Sequence, residues 1–269
     1  VIFRGHYQQR LFNHPAIVRS EEPMLVSFFI LSGAILGSFC NVVIYRLPRM
    51  LYGETALSLS WPASHCPHCK KPIKVRHNIP LFGWLLLRGR CAGCGQPISL
   101  RYPLVEALLA FLYGAIVWQQ GLTPQSGVDL LVVTLLVPLF FIDLQTMLLP
   151  DRLTLPLLVA ALLLAASGYG AVTLPSALLA AGLGFGVPWV LSLLFHLLRG
   201  HEGMGRGDMK LLAALGAWLG PQALLDVVAA STLLALGAAL VLLRVKPGEP
   251  FPFGPYPIIA ALAWLLMGR

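Results

Sequence analysis

Charge is what this chain has least of. Only 11% of its 269 residues are Asp, Glu, Lys or Arg, against roughly a quarter in soluble domains. With 57% apolar residues and a mean hydropathy of +0.78, that scarcity excludes a soluble domain, with or without a single anchor. It is the composition of a polytopic membrane protein. Acids are rarer than bases, 11 against 19. In a soluble chain the net charge of +8 would suggest nucleic acid. Here the bases sit in loops between apolar runs, where they mark the cytoplasmic side and face anionic lipid, so no nucleic-acid partner is expected. Cysteine is limited to five residues, and four of them form two C-x-x-C pairs. The fifth, Cys40, lies in an apolar run and reads as a small buried hydrophobe. Residues 1–23 are mixed and polar, without the apolar core of a signal peptide.

The apolar runs set the organisation. The first covers 24–46 and is long enough to span a bilayer. Gly33, Gly37 and Ser38 in it are spaced to let another helix approach closely. Residues 47–102 are the one long hydrophilic block and form a small subdomain between the first and second segments. Residues 103–269 are nearly all membrane, with spans near 103–120, 127–142, 153–170 and 174–198 and a last one from about 255 to 267. The stretch 211–243 is too long for one span, and Gly220-Pro221 divides it. The distribution of bases agrees. With the hydrophilic block taken as cytoplasmic, the 121–127 and 171–174 connections fall outside and carry no Lys or Arg. Arg152, Arg199, Arg206 and Lys210 fall inside, as do Arg244 and Lys246 if 211–243 is two elements. The expectation is an all-α protein of about eight transmembrane segments with both termini outside. Asp143 and Asp208 then share the cytoplasmic membrane edge.

The cysteine pairs read Cys66-Pro-His-Cys69 and, after a spacer of 21 residues, Cys91-Ala-Gly-Cys94. Two such knuckles supply four thiolates for a tetrahedral Zn²⁺. A cytoplasmic location argues against disulfides, and no thioredoxin-like pattern surrounds either pair. Four sulfurs leave no open coordination position, so the zinc is structural rather than hydrolytic. Gly93 and Gly95 allow the tight turn, and His65, His68 and His77 read as solvated.

The acids can be sorted one by one. Glu21, Glu22, Glu54 and Glu249 lie in polar stretches, and Asp129 and Asp226 near the outer side. Glu106 reads as an ion pair with Arg101, and Asp151 as the N-cap of the following helix. Asp143 and Asp208 remain, each at the edge of an apolar run, where a carboxylate is expensive and functional by default. Asp208 follows Gly203, Gly205 and Gly207 and precedes Lys210. That glycine run can bend sharply and approach a substrate strand. It is not a dinucleotide fingerprint, because the spacing is G-x-G-x-G and no strand precedes it. Two readings stay open on these residues alone. The acids could share a proton and activate water as an aspartyl protease does, or serve an ion- or proton-coupled transporter.

A wider set of residues resembles one family. Gly37-Ser38-Phe39-Cys40-Asn41 through Tyr45-Arg46-Leu47-Pro48, both cysteine pairs, Asn78-Ile79-Pro80, Arg88-Gly89-Arg90, Arg101-Tyr102-Pro103 with Glu106, Leu149-Pro150-Asp151, Gly203 to Lys210 and Pro252-Phe253-Gly254-Pro255 are similar to the bacterial type IV prepilin peptidases. These are GxGD-type membrane aspartyl proteases. The resemblance implies cleavage of the basic leader of prepilins or pseudopilins after a glycine, then methylation of the new N-terminus with S-adenosylmethionine. It implies the bacterial inner membrane, and it places the catalytic acids on Asp143 and Asp208. No motif in the chain marks a methyl-donor site. A basic leader would need docking acids on an already basic face, and Glu202, six residues before Asp208, is the best placed of them.

Overall fold

The computed structural model describes residues 22–54, 57–200, 203–242 and 251–267. Eight apolar helices dominate. They are α1 (Glu22–Leu51), α3 (Arg101–Gln120), α4 (Pro124–Thr146), α5 (Asp151–Ser167), α6 (Leu174–Arg199), α7 (Arg206–Leu219), α8 (Pro221–Gly237) and α9 (Pro255–Leu266). A short helix, α2 (Phe82–Leu86), lies in the hydrophilic block. α1, α3, α4, α6 and α8 are long and apolar enough to cross a membrane. α5, α7 and α9 are shorter, with 17, 14 and 12 residues. The all-α membrane architecture expected from the sequence is present.

Local chemistry explains the boundaries. Thr123 caps α4 reciprocally with Ser126: Thr123 Oγ1 accepts from the Ser126 N–H at 3.0 Å, and the Thr123 N–H donates to Ser126 Oγ at 2.8 Å. The break at Gly220-Pro221 is real. Gly220 takes φ 84°, closing α7 and opening α8, and Pro221 starts α8 where a missing N–H costs nothing. α1 continues through Pro48 to Leu51. Past the proline its course is fixed from outside, because the buried Arg46 guanidinium donates to the carbonyls of Ser58 at 2.8 Å and Pro62 at 2.6 Å.

Small residues set the closest helix contacts, as the sequence suggested for Gly33 and Gly37. A Cβ at Gly33 would lie 2.6 Å from the Leu109 carbonyl oxygen, and one at Gly37 would lie 2.6 Å from the Glu106 Cα. α1 and α3 therefore meet backbone to backbone. α6 and α7 do the same, through Gly184 against the Leu212 carbonyl and Gly216 against the Ala180 carbonyl, each at 2.5 Å. α4 is the central helix: Val132, Val133, Leu136, Leu139 and Ile142 are fully buried. α5 packs against both α4 and α7, whereas α4 and α7 have little close backbone contact with each other. Leu178, Leu179 and Trp189 of α6 stay exposed, an apolar surface suited to lipid.

Among the described residues there is no β-sheet, only two isolated bridges, His65 with Pro72 and Arg90 with Pro97. They mark two matching turns in the hydrophilic block. In the first, the Cys66 N–H donates to the Lys71 carbonyl and the Lys70 N–H to the Cys66 carbonyl. In the second, the Cys91 N–H donates to Gln96 and the Gly95 N–H to Cys91. Lys70 and Gly95 hold the equivalent left-handed position, at φ 59° and 72°.

Candidate active site and metal centre

Asp143 sits in the last turn of α4, only 4% exposed. Met147 ends the helix in the left-handed region, its N–H donating to the Asp143 carbonyl at 2.9 Å. The turn delivers Leu149 and then α5. Asp208 sits in the first turn of α7, whose N-cap is Gly205. The contacts around these two acids converge on Leu149. A Cβ at Gly207 would lie 3.0 Å from Leu149 Cβ, and one at Gly254 would lie 3.1 Å from Leu149 Cδ1 and 2.8 Å from Asp143 Oδ2. The Gly254 backbone faces the Asp143 carboxylate, and Asp143 lies near enough to Asp208 to act on it electrostatically. One oxygen of each acid, Asp143 Oδ2 and Asp208 Oδ1, is buried and takes no hydrogen bond from the described residues. Buried polar atoms are normally paired, so these two are free for a third party such as water or a peptide carbonyl.

The glycines before Asp208 act differently from the sequence expectation. None of Gly203, Gly205 and Gly207 has positive φ, and Arg206 to Lys210 are already helical. Their role is space: Gly203 lies under Phe195, Gly205 has the Asp208 carboxylate 3.1 Å from its Cβ direction, and Gly207 faces Leu149. Asp151 is also corrected. The N-cap of α5 is Pro150, and the Asp151 carboxylate takes Lys210 Nζ at 2.7 and 2.8 Å instead. That ion pair joins the starts of α5 and α7. Glu106 is not paired with Arg101. Its Oε2 accepts the Leu81 N–H at 2.7 Å, while Arg101 donates to Gln145. Glu106 and Arg46 therefore clamp the hydrophilic block onto α3 and α1. Glu202 falls outside the described residues, as do Glu21 and Glu249. Gly254 and Leu149 are site residues that sequence reasoning left without a role. The one available signal was a glycine set between prolines in Pro252-Phe253-Gly254-Pro255.

The four paired cysteines form a second centre. All four Sγ atoms lie within 4.8 Å of one another, with Cys66 to Cys94 at 3.8 Å and Cys69 to Cys91 at 4.0 Å. A tetrahedral zinc with Zn–S bonds of about 2.3 Å has S···S edges of about 3.8 Å. None of these cysteines is in a disulfide. The Gly93 N–H donates to Cys91 Sγ at 3.4 Å, the kind of outer contact that orients a metal ligand. Gly95 supplies backbone freedom, as expected. Gly93 supplies room, with Cys69 Sγ 3.4 Å from its Cβ direction. The donor set fits a structural metal ion.

Comparison with known proteins covers both centres. Residues 31–120 match the bacterial peptidase A24 N-terminal domain, and residues 130–240 match the type IV leader peptidase family. The chain is 48% identical over 265 residues to a prepilin leader peptidase/N-methyltransferase of Aeromonas hydrophila, covering 90% of each. It is 41% identical over 263 residues to the Neisseria gonorrhoeae protein of that name, covering 91% of each. It is 50% identical over 202 residues to the one from Klebsiella pneumoniae, covering 74% of this chain and 86% of that one. No solved structure matches. None of these relatives supports the transporter reading. With that identity sustained across nine-tenths of both chains, the protein belongs to the type IV leader peptidase family.

Proposed function

We propose that this membrane protein is a prepilin leader peptidase and N-methyltransferase whose cleavage is carried out by Asp143 and Asp208. The observation that carries the reading is a buried Asp143 at the end of α4 and a half-buried Asp208 at the start of α7, close enough to interact electrostatically, each with one buried oxygen that takes no hydrogen bond from the described residues. One carboxylate, ionised, takes a proton from water as the water oxygen attacks the scissile carbonyl. The other, protonated, donates to the carbonyl oxygen, giving a neutral tetrahedral intermediate. Collapse breaks the C–N bond: the proton held by the first acid goes to the leaving amine, and the second acid takes back the hydroxyl proton as the carbonyl re-forms. The two acids exchange states through the cycle and titrate as a unit. Substrates are prepilins or pseudopilins, with the basic leader on the cytoplasmic side of the bacterial inner membrane and the apolar helix in the bilayer.

The four sulfurs of Cys66, Cys69, Cys91 and Cys94 would hold one zinc ion, which would staple the hydrophilic block and leave no open position for hydrolysis. S-adenosylmethionine would supply the methyl group for the new amine. The groove beside Glu106, about 330 Å³ and lined by Leu81, Trp84, Leu85, Leu100 and Leu104, is apolar. None of its lining residues is charged, so the lining holds no partner for the zwitterionic methionine part of that donor. The groove does not fit it, and no step of methyl transfer is derived from it.

Purified protein incubated with a prepilin-like peptide should release the leader after glycine; ion flux in liposomes without any peptide product would overturn the assignment. Gly254 gives a sharper test of the geometry. A methyl group there meets Asp143 Oδ2 at 2.8 Å and must push the carboxylate away. Gly254→Ala is expected to slow cleavage roughly 10- to 100-fold, the usual result of misplacing a reacting group by about an ångström. The amount of protein inserted should stay near normal, and cleavage at the parent rate would remove Gly254 from the site.

A further inference from the structure

Asp129 lies near the start of α4, at the opposite end of that helix from Asp143, and is fully buried. Its Oδ1 accepts from Trp218 Nε1 at 2.7 Å and from Gln125 Nε2 at 2.9 Å, and its Oδ2 accepts from Gln120 Nε2 at 3.0 Å. Trp218, itself 2% exposed, is in the last turn of α7, the helix whose first turn holds Asp208. Gln120 ends α3, and Gln125 also accepts the Ala171 N–H from the α5–α6 connection at 3.0 Å. Hydrolysis as derived above uses none of these groups.

We infer that the Trp218–Asp129 hydrogen bond is a strut that sets the alignment of the two acid-bearing helices, making both residues positioning residues for cleavage. This rests on Asp143 and Asp208 being the catalytic pair. α4 and α7 have little close backbone contact, and α5 stands against both. Their relative tilt is therefore fixed by side chains. At the acid end those are Leu149 against Gly207 and Gly254. At the far end it is the Trp218 indole donating to the buried Asp129 carboxyl at 2.7 Å. From Trp218 to Asp208 the lever is about 15 Å at 1.5 Å per residue. A tilt of roughly 4° at that length moves the Asp208 carboxylate by about 1 Å, which a proton-relaying pair does not tolerate.

The test uses full-length protein in detergent and a prepilin-like peptide, with kcat and KM for cleavage measured separately. N-methylation of an already cleaved peptide is followed in parallel. Trp218→Phe keeps the apolar ring and removes the donor. It is expected to lower the cleavage kcat roughly 10- to 100-fold, with KM and N-methylation unchanged. Asp129→Leu should do the same, and the double variant should be no worse than the poorer single one. Asp129→Asn keeps an acceptor oxygen for the indole, and Gln120 can rotate its amide to meet the new NH₂, so it should stay near the parent. A parent-like kcat in Trp218→Phe overturns the strut. Equal loss of both activities, a change in KM alone, or Asp129→Asn as damaging as Asp129→Leu does so too. Asp143→Asn and Asp208→Asn are assayed beside them. If those retain cleavage, the catalytic pair itself has failed; if they lose it while Trp218→Phe does not, only the strut has.

Discussion

Asp143→Asn and Asp208→Asn are each expected to lose leader cleavage by roughly 10²- to 10⁴-fold, the usual contribution of a positioned acid or base. The loss should fall on kcat, because each acid moves a proton in the transition state rather than gripping the leader. Asn is close to isosteric with Asp and neutral, so the membrane fold should persist; the protein should appear in the membrane fraction in normal amounts. The double variant should be little worse than either single one, since acids that share one proton act as a unit. The parent should show a bell-shaped pH dependence, with one acid ionised and the other protonated at the optimum. Asp151→Asn is the control. It loses an exposed bridge to Lys210, and such pairs contribute at most about 1 kcal/mol. Cleavage by all three variants at near-parent rates would take Asp143 and Asp208 out of the mechanism.

Removing the metal is expected to have the second large effect. Within 57–100 the buried apolar side chain is that of Cys66 alone, while Val75, Phe82, Leu85 and Leu86 are exposed. Such a block has no core to fold around, and a structural zinc contributes on the order of 10–16 kcal/mol where it replaces one. Elemental analysis of protein prepared without chelator should find one zinc per chain. Chelation, or Cys66→Ser, should open 57–100 to limited proteolysis while α3 to α9 stay resistant. Equal resistance of the block with and without chelator would show that the sulfurs are not its staple.

The sequence exposed the features that depend on local pattern. Apolar runs located the eight apolar helices, Gly220-Pro221 located the break between α7 and α8, and the C-x-x-C spacing located the four sulfurs. What stayed hidden were pairings between residues far apart in the chain. Trp218 and Asp129 are 89 residues apart, and Lys210 and Asp151 are 59 apart. An apolar helix carries almost no sign of which neighbour its rare polar side chain will meet. Asp151 looked like a cap because a cap is the local solution for an acid after proline. A lysine one helix away competes for the same carboxylate. The glycines before Asp208 looked like a hinge because a glycine's φ freedom can be guessed from sequence, whereas a neighbouring Leu149 cannot.

The shortness of α5 and α7 has a consequence for the lipid. Fourteen residues reach about 21 Å and seventeen about 25 Å, while the hydrocarbon layer is about 30 Å deep. These are the helices whose first turns hold Asp208 and follow Leu149. Such mismatch is relieved by thinning the bilayer around the short elements or by letting their ends lie below the headgroups. Where the shortfall falls at the acid-bearing ends, water dips toward Asp143 and Asp208. A substrate helix arriving there would then meet the wet boundary deeper than elsewhere, and its first residues would not need to be drawn far out of the membrane to be cut.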